Sequence, residues 1–145
     1  MNYYREDSFL PIQRIVLALS KARHLLMAEM EVALSGTSVT NSQVGALLLL
    51  SRDMAHSSVS LSKLLGGDPA SVTRVVDRLE RQGLVRRARN CLDRRVVNLT
   101  LTEAGRNAAT RIAEIVPAML NRRLSGFTSL EFAALSRLLG KLLDQ

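Results

Sequence analysis

The sequence predicts a mainly α chain with a small β-wing: a winged helix-turn-helix unit over residues 38–102, between helical regions at 1–37 and 103–145. Three observations carry that expectation. Apolar residues recur at helical spacing along most of the chain. Two short helices with a basic outer face on the second are joined by a tight turn at Gly66-Gly67, a helix-turn-helix pattern. From Leu84 to Leu101 the apolar period falls to 2, the mark of strands.

The elements follow in order. Residues 8–34 read as one long amphipathic helix with Ile12, Ile15, Val16, Leu19, Leu26, Met30 and Leu34 on its apolar face and Gly36 as the stop. Thr40 to Gln43 has the form of a capping box. It opens a helix to about Arg52 with Val44, Leu47, Leu48 and Leu50 as core. Ser57-Ser58-Val59 reads as a minimal strand, and Ser60 as the cap of a short helix, Leu61 to Leu65. Asp68-Pro69 joins a good N-cap to a residue favoured at the first helical position. The helix from Pro69 to Gln82 then buries Val72, Val75, Val76 and Leu79, one face at helical spacing, and Gly83 stops it. Leu84–Arg89 is the first wing strand, Asn90–Arg95 the tip, and Val97, Leu99 and Leu101 mark the return strand. Thr102 caps the next helix, with Glu103 at the positive end of its dipole. Pro117 is expected to kink or divide that helix. Ser125-Gly126 interrupts again, and the last helix, from about Ser129 to Leu143, carries an apolar stripe of Leu135, Leu138, Leu139, Leu142 and Leu143.

Length and charge narrow the function. A chain of 145 residues holds one domain, or one domain plus a dimerisation element. Its 47% hydrophobic content excludes a disordered basic tail. Its 3% aromatic residues and absence of Trp weigh against modules that stack single-stranded bases on aromatic platforms. The net charge of +7 is uneven: between Arg74 and Arg95 eight arginines face three acids (Asp77, Glu80, Asp93), so this stretch carries +5 of it. Arg presents a planar fork of donors suited to phosphate and guanine edges. A basic folded domain suits a phosphate-rich duplex or an anionic membrane. Clustering around a turn and a hairpin, instead of along one amphipathic helix, favours the duplex.

Several classes drop out. Cys91 is the single cysteine, so neither an intrachain disulfide nor a zinc site built from thiolates of one chain is expected. His24 and His56 are too few for a metal site, and no cofactor is implied. The sequence contains no metalloprotease, nucleophile-elbow, P-loop or dinucleotide fingerprint, which argues against an enzyme. The longest apolar run, Val44 to Leu50, is far short of the roughly 20 residues of a membrane span. Met1 to Asp7 does not look like a signal peptide, so the expected compartment is the cytoplasm.

The apolar faces of the N- and C-terminal helices need a partner surface. A second copy of the chain is the simplest one, and folding back onto the same chain is the alternative. A two-fold dimer would offer two recognition helices to the half-sites of a palindrome.

Three segments, Leu61-Ser62-Lys63-Leu64-Leu65, Ser71 through Arg87, and Asp93 through Gly105, resemble the multiple-antibiotic-resistance regulator (MarR) family of winged-helix transcription factors. That family's wing signature is an Asp-x-Arg, a strand ending in Leu-Thr and a Gly a few residues on; here these are Asp93 to Arg95, Leu99-Thr100 (repeated as Leu101-Thr102) and Gly105. The order of helices fits over essentially the whole chain. The tip departs from the pattern, with Asn90-Cys91-Leu92 in place of Pro and Asp. The resemblance implies a homodimeric regulator of transcription, a repressor released by a small phenolic or aromatic-acid effector. Such ligands bind between the dimer region and the DNA-binding lobe, which makes Arg23 and His24 effector candidates.

Residue roles follow from position. The N-terminal part of a recognition helix approaches the base edges. Ser71 and Arg74 are therefore base-reading candidates, with a phosphate contact alone as the other role for Arg74. Thr73 suits a thymine methyl or a phosphate. Arg78, like Arg81, contacts phosphate or pairs with Asp77 and Glu80. Arg94 and Arg95 suit a narrow minor groove; the resemblance favours Arg95, with Asp93 orienting the wing. Arg86 and Arg87 divide between structure and phosphate. Cys91 lies among Arg89, Arg94 and Arg95, which favours the thiolate, so the alternatives are a redox-responsive switch and an inert surface thiol. A winged helix serving as a protein-interaction module is the remaining alternative, and the Arg cluster argues against it.

Overall fold

The computed structural model describes residues 9–89 and 97–143, with side chains from Arg14 onward. Helices α1 (Phe9–Leu34), α2 (Asn41–Ser51), α3 (Ser58–Leu65) and α4 (Pro69–Arg81) come first. Strands β1 (Val85–Arg89) and β2 (Val97–Leu101) follow, then helices α5 (Glu103–Arg123) and α6 (Ser129–Leu143). The strands form an antiparallel hairpin in which Val85 faces Leu101, Arg87 faces Leu99 and Arg89 faces Val97.

Local chemistry explains most boundaries. At α2 the Gln43 side chain reaches back and its Oε1 accepts the Thr40 N–H at 3.0 Å. Helix α3 starts three residues earlier than Leu61, and Ser57-Ser58-Val59 is not a strand. Ser57 Oγ accepts the Ser60 N–H at 3.1 Å while Ser60 Oγ accepts the Ser57 N–H at 3.0 Å. That reciprocal cap outweighs the β preference of one valine. Among the described residues, what survives of strand pairing there is one bond, from the Leu99 N–H to the His56 carbonyl at 2.8 Å. Gly66 (φ 65°) and Gly83 (φ 70°) end α3 and follow α4 in the left-handed region that glycine enters without strain.

Helix α5 runs unbroken through Pro117. The lost N–H is tolerated because Val116 and Met119, on either side, are buried, so packing holds the segment helical. At its start, Thr102 Oγ1 accepts the Gly105 N–H at 3.0 Å and donates to the Gly83 carbonyl at 2.6 Å. The Thr102 N–H meets the Leu84 carbonyl at 3.0 Å. These bonds stitch the end of the wing to the turn after α4.

One core serves all of this. Leu47, Leu61, Val76, Leu79 and Ile112 are fully buried, and Met30 and Leu34 of α1 join the same cluster as Ala109, Val116 and Met119 of α5. Leu48, expected inside, is only half-buried, and Gln43 takes an interior place with no exposed surface. Its Nε2 donates to Gln82 Oε1 at 2.7 Å, and Gln82 Nε2 donates to the Ser38 carbonyl at 3.0 Å. A buried amide is costly unless bonded, and this one has partners on both ends. The chain of amides ties the α1–α2 turn to the C-terminal end of α4.

Helix α6 has no buried residue. Leu130, Phe132, Leu135, Leu138, Leu142 and Leu143 stand exposed on it, as do Ile15, Val16, Leu17 and Leu19 on α1. Among the described residues no helix is long and apolar enough to cross a membrane.

Candidate nucleic-acid interface

Helix α4 turns Val72, Val76 and Leu79 into the core and leaves Thr73, Arg74, Arg78 and Arg81 exposed. Its orientation begins with its cap. Asp68 Oδ1 accepts the Ser71 N–H at 2.9 Å. Hydrogen bonds from the Ser71 side chain and backbone hold the Asp68 carboxyl below its ordinary range. A depressed carboxylate pKa means the cap is present at neutral pH and is lost as the pH falls through its folded value.

The expected readers are brought together. Arg74 Nη2 donates to Ser71 Oγ at 2.9 Å, so both sit as one unit on the first turns of the helix. Thr73 Oγ1 donates to the Pro69 carbonyl at 2.8 Å, and the residue is exposed. Arg78 is exposed, and Arg81 Nε donates to the Asp77 carbonyl at 3.3 Å.

Neither Arg78 nor Arg81 pairs with Asp77 or Glu80; Arg87 of β1 takes both acids. Its Nη2 lies 2.6 Å from Asp77 Oδ1 and its Nη1 2.6 Å from Glu80 Oε2. Asp77 and Glu80 are three residues apart, on one face of α4. The rigid fork of a half-buried arginine from the strand side reaches both at once. The hydrogen bond to Asp77 raises the Arg87 pKa first; burial opposes the rise and Glu80 adds to it. Arg86 and Arg89 are exposed. The expected split of Arg86 and Arg87 thus places Arg87 on the structural side.

Asp93, Arg94, Arg95 and Cys91 lie outside the described residues. Arg23 and His24 are exposed on α1. A cleft of about 660 Å³ lies between α1 and α5, lined by Leu25, Ala28, Glu29, Val32, Arg122 and Arg123 among others, but not by Arg23 or His24. Arg123 Nη1 lies 3.4 Å from Glu29 Oε1 there. The sequence marks Arg122 and Arg123 only as cations suited to a helix C-terminus. Gln43 and Gln82 carry no sequence signal of their pairing, since they lie 39 residues apart.

Comparisons with known proteins agree with this geometry. A sequence model described as the MarR family matches residues 39–97. The HTH-type transcriptional repressor MdtR of Bacillus subtilis (strain 168) is 30% identical over 131 residues, covering 88% of this chain and 83% of that protein. Among solved structures, a mutant MarR from E. coli complexed with operator DNA is 27% identical with a TM-score of 0.78, covering 94% of this chain and 96% of that one. FabT of Streptococcus pneumoniae in complex with DNA is also 27% identical, with a TM-score of 0.72 and coverage of 92% and 95%. With the recognition helix, the hairpin and the flanking helices all in the expected order, the chain belongs to the MarR family of DNA-binding transcriptional regulators.

Proposed function

We propose that this chain is a homodimeric, sequence-specific repressor that binds a palindromic duplex and is released by a small phenolic or aromatic acid. The observation that carries the reading is the outer face of α4. Arg74, Arg78 and Arg81 are exposed there, while the two described acids of the same helix face are occupied by Arg87. On this reading Arg74 and Ser71 read base edges, Thr73 contacts a thymine methyl or a phosphate, and Arg78 contacts phosphate. Arg95 enters the minor groove beside Arg94, with Asp93 orienting the wing.

The exposed apolar faces of α1 and α6 form the dimer interface, so residues 1–37 and 103–145 act as the dimerisation region around the DNA-binding unit at 38–102. The repressor role follows the name of the B. subtilis relative. The cleft between α1 and α5 suits the effector: Leu25, Ala28 and Val32 offer an apolar wall for a ring, and Arg122 a fork for a carboxylate.

Selecting duplexes from a random pool and titrating the best site by fluorescence anisotropy over a salt series tests the reading. Affinity is expected to fall steeply with salt, and Arg95→Ala to reduce the salt slope by about 0.9 while the chain stays dimeric. Binding that is indifferent to sequence, or a salt slope unmoved by Arg95→Ala, would refute the respective claim. Aromatic acids added to the preformed complex are expected to release the DNA.

A further inference from the structure

We infer that Arg87 is a positioning residue of the DNA interface: its double clasp on Asp77 and Glu80 sets the wing against the recognition helix and keeps two carboxylates off the phosphates. The inference rests on the DNA-binding reading above. Three features support it. First, Arg87 sits at the centre of β1, opposite Leu99, a buried residue whose N–H is fixed to the His56 carbonyl. The guanidinium is therefore carried by a strand whose hairpin partner, β2, is anchored to the turn before α3. Second, its two nitrogens bond two acids on adjacent turns of α4, at 2.6 Å each, so the contact constrains the rotation of strand against helix as well as their separation. One hydrogen bond would leave that rotation free. Third, the acids belong to the same helix as Arg74, Arg78 and Arg81, and Asp77 and Glu80 remain partly exposed. Left unpaired, they would repel the phosphate backbone from the face that has to approach it.

The clasp and a simple charge argument predict opposite signs for one experiment. Asp77→Ala/Glu80→Ala removes two negative charges from the DNA-facing side and replaces them with a good helix former. If charge alone mattered, DNA affinity would rise. If the clasp sets the geometry, affinity falls, by about tenfold at fixed salt, since charge-assisted hydrogen bonds of this kind are the stronger ones. Arg87→Lys is the second variant. It keeps the charge but cannot bridge two carboxylates as a fork does. It should lose affinity to a similar extent, with the salt slope unchanged. A direct phosphate contact would instead leave Arg87→Lys near wild type, and Arg87→Ala would lower the slope by about 0.9.

The measurement is the anisotropy titration on the pool-selected duplex, with circular dichroism to show that each variant is folded. Equal or higher affinity for Asp77→Ala/Glu80→Ala overturns the clasp, as does a wild-type-like Arg87→Lys. Should a variant fail to fold, the other decides by the same criterion. Wild-type protein that selects no duplex from the pool overturns the DNA reading and the clasp with it. Wild-type binding alongside an indifferent double variant overturns the clasp alone.

Discussion

Gly105→Ala is expected to destabilise the protein by about 3 kcal/mol or more, although alanine is the better helix former. Two effects compete at this position. Inside a helix, Ala is favoured over Gly by about 1 kcal/mol. Against that, a Cβ on Gly105 would lie 1.9 Å from the Leu84 carbonyl oxygen and 3.2 Å from Leu101 Cδ2. The first neighbour is backbone, and its oxygen already accepts the Thr102 N–H at 3.0 Å, so it cannot swing aside without breaking the stitch between wing and α5. The steric effect therefore wins. In thermal unfolding, with roughly 2–4 °C per kcal/mol for a chain of this size, the midpoint should drop by about 10 °C. A midpoint equal to or above wild type would show that the first turn of α5 moves away freely.

Leu138→Glu/Leu142→Glu should convert the protein to a monomer and weaken operator binding by about 10²- to 10⁴-fold. Both leucines are more than half exposed on α6, which contributes nothing to the core of its own chain. The substitutions thus leave the core of residues 30–119 untouched. They place charge on a face that, in the proposed dimer, meets its copy across a two-fold axis. Each half-site contact would survive, but the second would no longer be intramolecular. Sedimentation should report the monomer, and circular dichroism an undisturbed helical signal. A chain that stays dimeric would place the interface elsewhere than on α6.

How much of this was legible in the sequence depends on the range of the physics. Caps and stops act within a few residues, so the Asp68-Pro69 start, the Thr102 cap and the glycine stops at 66 and 83 could be read directly. The recognition helix and hairpin followed from a change of period. The failures are of two kinds. At Ser57 the local capping rule fits either serine from sequence, because Ser57 and Ser60 cap each other, and the helix starts after Ser57. At Pro117 tertiary packing overrides local preference, since buried Val116 and Met119 carry the helix past a proline; Gln43 caps as its sequence position implies, and its interior place depends on Gln82 across the fold. The Arg87 clasp was partly legible. The sequence offers Arg78 and Arg81 of the same helix as one possible pairing for Asp77 and Glu80, and only the fold decides that the partner comes from the strand. Gly105 was visible as part of a motif, and its reason, a backbone passing too close for any side chain, is a fact of three dimensions.

The hydrogen bond from Arg74 to Ser71 has a consequence for how an operator is read. If both residues touch base edges, they do so as a linked pair: turning Arg74 towards a guanine strips Ser71 of its partner, and a base that engages Ser71 alters what Arg74 can reach. Penalties for wrong bases add when the contacts are independent and fail to add when the contacts share a partner. The preferences at two neighbouring base pairs under the start of α4 are then correlated, and a table of single-base scores would misjudge sites that differ at both.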